Sequence, residues 1–180
     1  MYPMHTWGYE PLIKRLERLI EEDLVFEAVI AANQTHEQTF KRVMRGEMAE
    51  RRVTLKRKKD TFLLVEASTA AHLDKGLRQM PGMAKMAKAW QVLHKGRSCE
   101  SLEETVSRIA GPQGWDLVVE LADLRHRLVH ETASPMSSEL QETAQSGIES
   151  LRKLLHPQSG LTAFGVRDPF ARIPNILHSR

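Results

Sequence analysis

Late in the chain an arginine, Arg125, is followed five residues on by a histidine, His130, in a leucine-rich string that also holds His126. A guanidinium keeps its charge at any physiological pH and offers a planar fork of donors to phosphate oxygens, whereas an imidazole gains and loses a proton near neutrality. Together they suit work on a phosphodiester: Arg125 would hold the anion and His130 would move the proton. His126, four residues before His130, shares its helix face. A divalent metal could use the same spacing of histidines. A zinc site needs further ligands, however, and no Glu follows His126 as it does in His-Glu-x-x-His, so no metal or other cofactor is expected.

The element that must position these groups is legible around them. Leu117, Leu121, Leu124 and Leu128 recur at steps of 4, 3 and 4, which predicts one amphipathic helix from about Trp115 to Glu131 with its leucines in a core. Arg125 and His130 then flank the buried stripe. A break is expected at Thr132 to Pro135.

The stretch Leu-Ala-Asp-Leu-Arg125-His126-Arg127-Leu128-Val129-His130-Glu131 resembles the signature of the HEPN superfamily: Arg, then Asn, Asp or His, then three residues and His, late in an all-helical domain. An earlier stretch, Phe26 to Ala32 and on through Glu37, Phe40 and Lys41, is similar to that family's early helix. The resemblance covers about a quarter of the chain. It implies an all-α, HEPN-like helical bundle and a metal-independent endoribonuclease with catalytic Arg125, His130 and His126, supported by Glu37 and Arg127. It further implies a homodimer joining two copies of the Arg–His set at a twofold interface, and a role as a toxin or phage-defence effector restrained by an antitoxin or other regulatory protein. Some HEPN ribonucleases carry an acidic or polar residue four before the Arg; here that position is Leu121, with Glu120 and Asp123 nearby.

Length and composition set the frame. At 180 residues the chain suits one domain, taken as 1–156, followed by an extended tail, 157–180, in which Gly160, Gly165, Pro169 and Pro174 interrupt the apolar residues. A net charge of +3 and a pI near 9.1 favour anionic partners. Cys99 stands alone, which excludes an intramolecular disulfide and a CxxC metal site. Met1 to Gly8 lacks a signal peptide's apolar core, and no apolar run approaches the roughly 20 residues of a membrane span, so a cytoplasmic protein without membrane contact is expected.

Elsewhere the pattern is helical. Pro11 opens a helix with Leu12, Leu16, Leu19 and Ile20 on one face, ending near Glu21 to Asp23. A longer segment runs from Leu24 through Met48, and its polar middle, Asn33 to Gln38, is expected to be wet or to face a partner. Ser101 and Glu104 form a capping box, and Gly111-Pro112 ends that helix. Ser134 and Pro135 start another, lined by Leu140, Ala144, Ile148, Leu151 and Leu155 and stopped by Pro157. Phe62 to Val65 is read as buried helix continuing to Leu73 and Leu77.

A basic run, Arg51, Arg52, Lys56, Arg57, Lys58 and Lys59, is the candidate RNA-binding surface, since cations there would neutralise backbone phosphates. Each feature also has a structural reading. The basic run can be a solvated face, Arg125 an ion-pair partner of Asp123, Glu131 or Glu37, and His130 a histidine favoured by the helix dipole. Trp7, Trp90 and Trp115 read as core or interface residues, and the other histidines form no constellation. Two competing functions follow: a noncatalytic HEPN-like module that binds nucleotide or protein as a dimer, and a basic helical adaptor unrelated to that family.

Overall fold

The computed structural model describes residues 9–130 and 137–161. Within them run seven helices and one hairpin: α1 (Tyr9–Glu21), α2 (Val25–Glu50), β1 (Val53–Lys58), β2 (Thr61–Glu66), α3 (Ala70–Arg78), α4 (Met83–Leu93), α5 (Leu102–Ala110), α6 (Gly114–His130) and α7 (Ser137–Leu155), with a 3-10 turn at Pro157–Ser159. The chain is therefore mostly helical, with one small two-stranded antiparallel sheet. No helix among the described residues is long and apolar enough to cross a membrane.

Local chemistry explains most boundaries. Glu21 ends α1, and Asp23 adopts a left-handed φ of 59° in the turn to α2. The Ser101 side chain accepts from the Glu104 N–H while the Glu104 carboxylate accepts from the Ser101 N–H, the expected capping box at the start of α5. Gly111 ends that helix with φ at 115°, a conformation a Cβ would resist. The predicted cap at Ser134 and Pro135 lies outside the described residues, as do the tail beyond Leu161, Trp7 and Glu131. Leu161 is buried in the core, so packed structure continues past residue 156.

The residues Phe62–Val65 form a strand where helix was expected. Val53 to Lys58 supplies an antiparallel partner, with Leu55 opposite Leu64 and Arg57 opposite Phe62, and Lys59 takes a left-handed φ of 53° to turn the chain. A four-residue apolar run has no period of its own, and the pairing strand decides its conformation.

Two apolar clusters share the long helices. One gathers α1, the first half of α2, the second half of α6 and α7 around Leu16, Val29, Leu121, Leu124 and Leu151. The other packs the second half of α2 with the hairpin, α3, α4, α5 and the start of α6 around Phe40, Met44, Leu93 and Val118. Thus α6 is anchored at both ends. Leu121 and Leu124 are fully buried, and each such leucine stabilises the fold by about 1.5–3 kcal/mol. Gly147 of α7 lets the two helices close: a Cβ there would lie 2.8 Å from a Leu121 methyl.

The polar middle of α2, expected to be wet or to face a partner, is split: Gln34 and Gln38 are exposed, Thr35 and Glu37 half-buried, and Asn33 and His36 internal. Asn33, His36 and Thr39 are buried, and His36 faces Ser150 of α7. Polar residues enter a core when their hydrogen bonds can be met inside it, as those of His36 and Thr39 are.

Candidate functional site

Helix α6 is the scaffold of the predicted site. Gly114, Val118, Leu121 and Leu124 are its buried positions, which fixes the orientation of every other side chain on it. His126 and His130 stand on the outer face, both exposed, with ring centroids 4.8 Å apart and planes tilted by 48°. Arg125 lies on the flank nearer the core and is half-buried. Its Nε is out of solvent, and no hydrogen bond or ion pair among the described residues engages it. Neither Asp123 nor Glu37 pairs with it, and Glu131 lies outside the described residues.

The helix therefore brings His126 and His130 together and keeps Arg125 apart from His130. At 100° per residue, positions five apart point about 140° from one another. Their side chains thus leave α6 on different flanks.

The surroundings are acidic on one side. An open groove along α6 is lined by Trp115, Asp116, Glu120, Asp123, His126 and Arg127. Arg127 crosses to α7, where it meets Glu139 at 3.1 Å. Thr143 of α7 donates to Glu120 at 3.4 Å. These two contacts and the close approach at Gly147 tie α6 to α7.

Glu37 stands elsewhere: its carboxylate pairs with Lys41 at 2.7 Å and accepts the Gly82 N–H at 3.5 Å. It makes no hydrogen bond or ion pair with Arg125 or His130 among the described residues.

The six basic residues divide between two roles. Arg51 turns inward, donating Nη1 to the Leu93 carbonyl at the C-terminus of α4, where a cation meets the negative helix end. Burial and the neighbouring Arg97 hold its pKa below the usual value, while Glu47 opposes them. The other five are exposed. Lys56, Arg57 and Lys58 lie on β1, Arg52 precedes it and Lys59 turns the hairpin, with Arg57 Nε donating to the Lys59 carbonyl at 3.0 Å.

Two groupings were not legible as such in the sequence. His36 is fully enclosed, and because the Ala32 carbonyl, 2.9 Å from Nδ1, can only accept, the ring proton sits on Nδ1 and Nε2 accepts from the Ser150 hydroxyl at 3.3 Å. Burial pushes its pKa down to about 4 against the Ala32 hydrogen bond, so the ring is neutral at pH 7. His94 stacks on Trp90 with centroids 4.3 Å apart, and its Nε2 lies 3.5 Å from a Glu47 carboxylate. Burial, Arg51 and Arg97 lower its pKa. The Trp90 indole N–H donates to the Glu100 carbonyl at 2.9 Å, so this tryptophan is part of the core. The exposed Cys99 thiol is pushed up by partial desolvation and by Glu47 and Glu100, which makes it a poor nucleophile. Among the described residues no three His, Cys, Asp or Glu side chains assemble into a metal-holding group.

No protein-family model, curated protein or solved structure matches the chain.

Proposed function

We propose that the chain is a HEPN-like, metal-independent endoribonuclease of the toxin–antitoxin or phage-defence kind, acting as a homodimer. The observation that carries the reading is the exposed, mutually tilted His126–His130 ring pair on α6, which follows directly in sequence on an arginine whose Nε has no partner among the described residues. Such a helix presents two imidazoles to solvent and a cation on its neighbouring flank, the kinds of group that phosphoryl transfer uses.

In this reaction a base removes the proton of a ribose 2′-hydroxyl, whose oxygen attacks the adjacent phosphorus. The P–O5′ bond breaks, and an acid returns a proton to the leaving 5′-oxygen, leaving a 2′,3′-cyclic phosphate and a 5′-hydroxyl. His130 serves as base or acid, Arg125 stabilises the phosphoryl oxygens, and His126 orients His130. Because Arg125 and His130 diverge on one helix, the second acid–base group and the second cation come from another copy across a twofold axis. The exposed lysines and arginines of the hairpin guide the RNA backbone.

A second reading rests on a specific observation: Asp116, Glu120 and Asp123 line the groove beside His126 and repel phosphate. It makes the domain a noncatalytic HEPN-like dimer that binds nucleotide or protein. Incubation of a mixed RNA pool with wild type and His130→Ala in EDTA, followed by end-group analysis, separates them. Cyclic-phosphate ends from wild type and none from His130→Ala meet the nuclease expectation. Equal cleavage by both removes His130 from the mechanism, and cleavage by neither favours the binding module.

A further inference from the structure

The hairpin has two outer edges, and they differ. The β1 edge is sealed. Gly76 of α3 lies so close that a Cβ would sit 3.2 Å from both the Leu55 nitrogen and oxygen, and the Gln79 side-chain oxygen accepts the Arg57 N–H at 2.6 Å. That last bond also fixes the alternation of the ladder. Since the Arg57 N–H points away from β2, the pairs Arg57–Phe62, Leu55–Leu64 and Val53–Glu66 do not exchange backbone hydrogen bonds with each other. The N–H and C=O groups of Phe62, Leu64 and Glu66 therefore point outward from β2, and no hydrogen bond among the described residues engages them.

The strand's apolar side chains are unevenly covered: Phe62 is buried in the core on the α4 side, whereas Leu63, Leu64 and Val65 are 44%, 39% and 37% exposed. Proteins usually blunt such an edge with lysine, proline or a bulge. Here the cations Lys56, Arg57 and Lys58 all lie on the sealed strand, and β2, Thr-Phe-Leu-Leu-Val-Glu, has none.

We propose that β2 is a pairing edge between two copies of this chain, joined antiparallel about a twofold axis at Leu64 into a four-stranded sheet. In that register each Leu64 faces its symmetry mate, Leu63 faces Val65 and Phe62 faces Glu66. The outward backbone groups at 62, 64 and 66 become three hydrogen-bonded pairs with about six bonds. No like charges meet, because the cations stay one strand away and each Glu66 falls in the row that contains the other copy's Arg57. A polyanion is a poor occupant of the edge itself, since β2 presents no cation and ends in a carboxylate. The interface is independent of the α6 reading: if both twofold contacts form, the assembly is larger than a dimer.

The test is amide hydrogen exchange on the full chain at low and high protein concentration, paired with sedimentation of wild type and Leu64→Lys. Amides of Phe62, Leu64 and Glu66 slow as concentration rises, while those of Leu63 and Val65, already bonded to β1, do not change. Leu64→Lys, at an exposed side chain, keeps the wild-type circular dichroism, halves the mass of the largest species and abolishes the concentration dependence. Wild type with the same mass as Leu64→Lys, or exchange at 62, 64 and 66 independent of concentration, overturns the proposal; the latter pattern is also what another segment of the same chain lying on the edge would produce.

Discussion

Acid weakens this fold through His36. The ring is enclosed between α2 and α7, with Nδ1–H on the Ala32 carbonyl and Nε2 on the Ser150 hydroxyl, and burial lowers its pKa from 6.5 to about 4. The unfolded chain, with its histidine near 6.5, thus binds a proton more readily than the folded one. The resulting stability is present above pH 6.5 and is lost as pH falls towards 4. The separation corresponds to about 3 kcal/mol in total, of which about 2 kcal/mol disappears between pH 7 and pH 5. That is a large part of the roughly 5–15 kcal/mol that holds a domain together. Urea unfolding followed by circular dichroism at the two pH values measures it, with His36→Gln as the comparison. Glutamine can donate to Ala32 and accept from Ser150 but cannot titrate, so the variant retains about 2 kcal/mol more of its pH 7 stability at pH 5 than wild type does. If wild type and His36→Gln lose the same amount over this interval, another group governs the acid transition. Histidine NMR gives an independent check: a ring still neutral at pH 5 in the folded protein is required.

Four further outcomes follow from the packing, the charges and the proposed site. Gly147→Ala puts a Cβ 2.8 Å from a Leu121 methyl, so the buried Leu121 side chain must shift; an overpacking cost of about 1–3 kcal/mol is partly offset by about 1 kcal/mol of helix propensity, and a thermal or urea melt reads the net loss. If the hairpin reads phosphates, Lys56→Ala with Lys58→Ala lowers the salt dependence of RNA binding, measured by fluorescence anisotropy, by about 0.7 in logarithmic slope for each phosphate of single-stranded RNA that the two lysines neutralise. Arg51→Ala instead lowers stability, because its guanidinium serves the end of α4. Finally, mixing excess Arg125→Ala or His130→Ala subunits into wild type depresses ribonuclease activity beyond simple dilution if two copies build one site; strictly proportional loss points to an independent site in each subunit.

Long periodic segments announced themselves in the sequence. Leucines at 117, 121, 124 and 128 placed α6, and Ser101 with Glu104 placed the start of α5, because in both cases the information lies within a few helical turns. The hairpin was illegible for the opposite reason. Phe62 to Val65 has no period that separates strand from buried helix, and what decides is the pairing with Val53 to Lys58 and the cover of α3. Burial of Asn33 and His36 was hidden likewise, since the hydroxyl that receives His36 comes from Ser150, 114 residues away. In the candidate site, sequence spacing named Arg125, His126 and His130, but their directions depend on which face of α6 is buried. Arg51 read as one of six equivalent cations until the position of Leu93 set it apart.

The rigidity of α6 bears on how any chemistry there could work. Loops can swing an arginine and a histidine onto one phosphate, but α6 is held along both halves by separate apolar clusters, with Gly147 bringing α7 against Leu121 and Arg127 bonded to Glu139. The divergence of the Arg125 and His130 Cα–Cβ directions is thus built into the backbone. Recruiting a second set of side chains from another copy costs only the association itself. If α6 carries a phosphoryl-transfer site, the five-residue spacing of Arg125 and His130 fits one in which a second copy supplies further side chains.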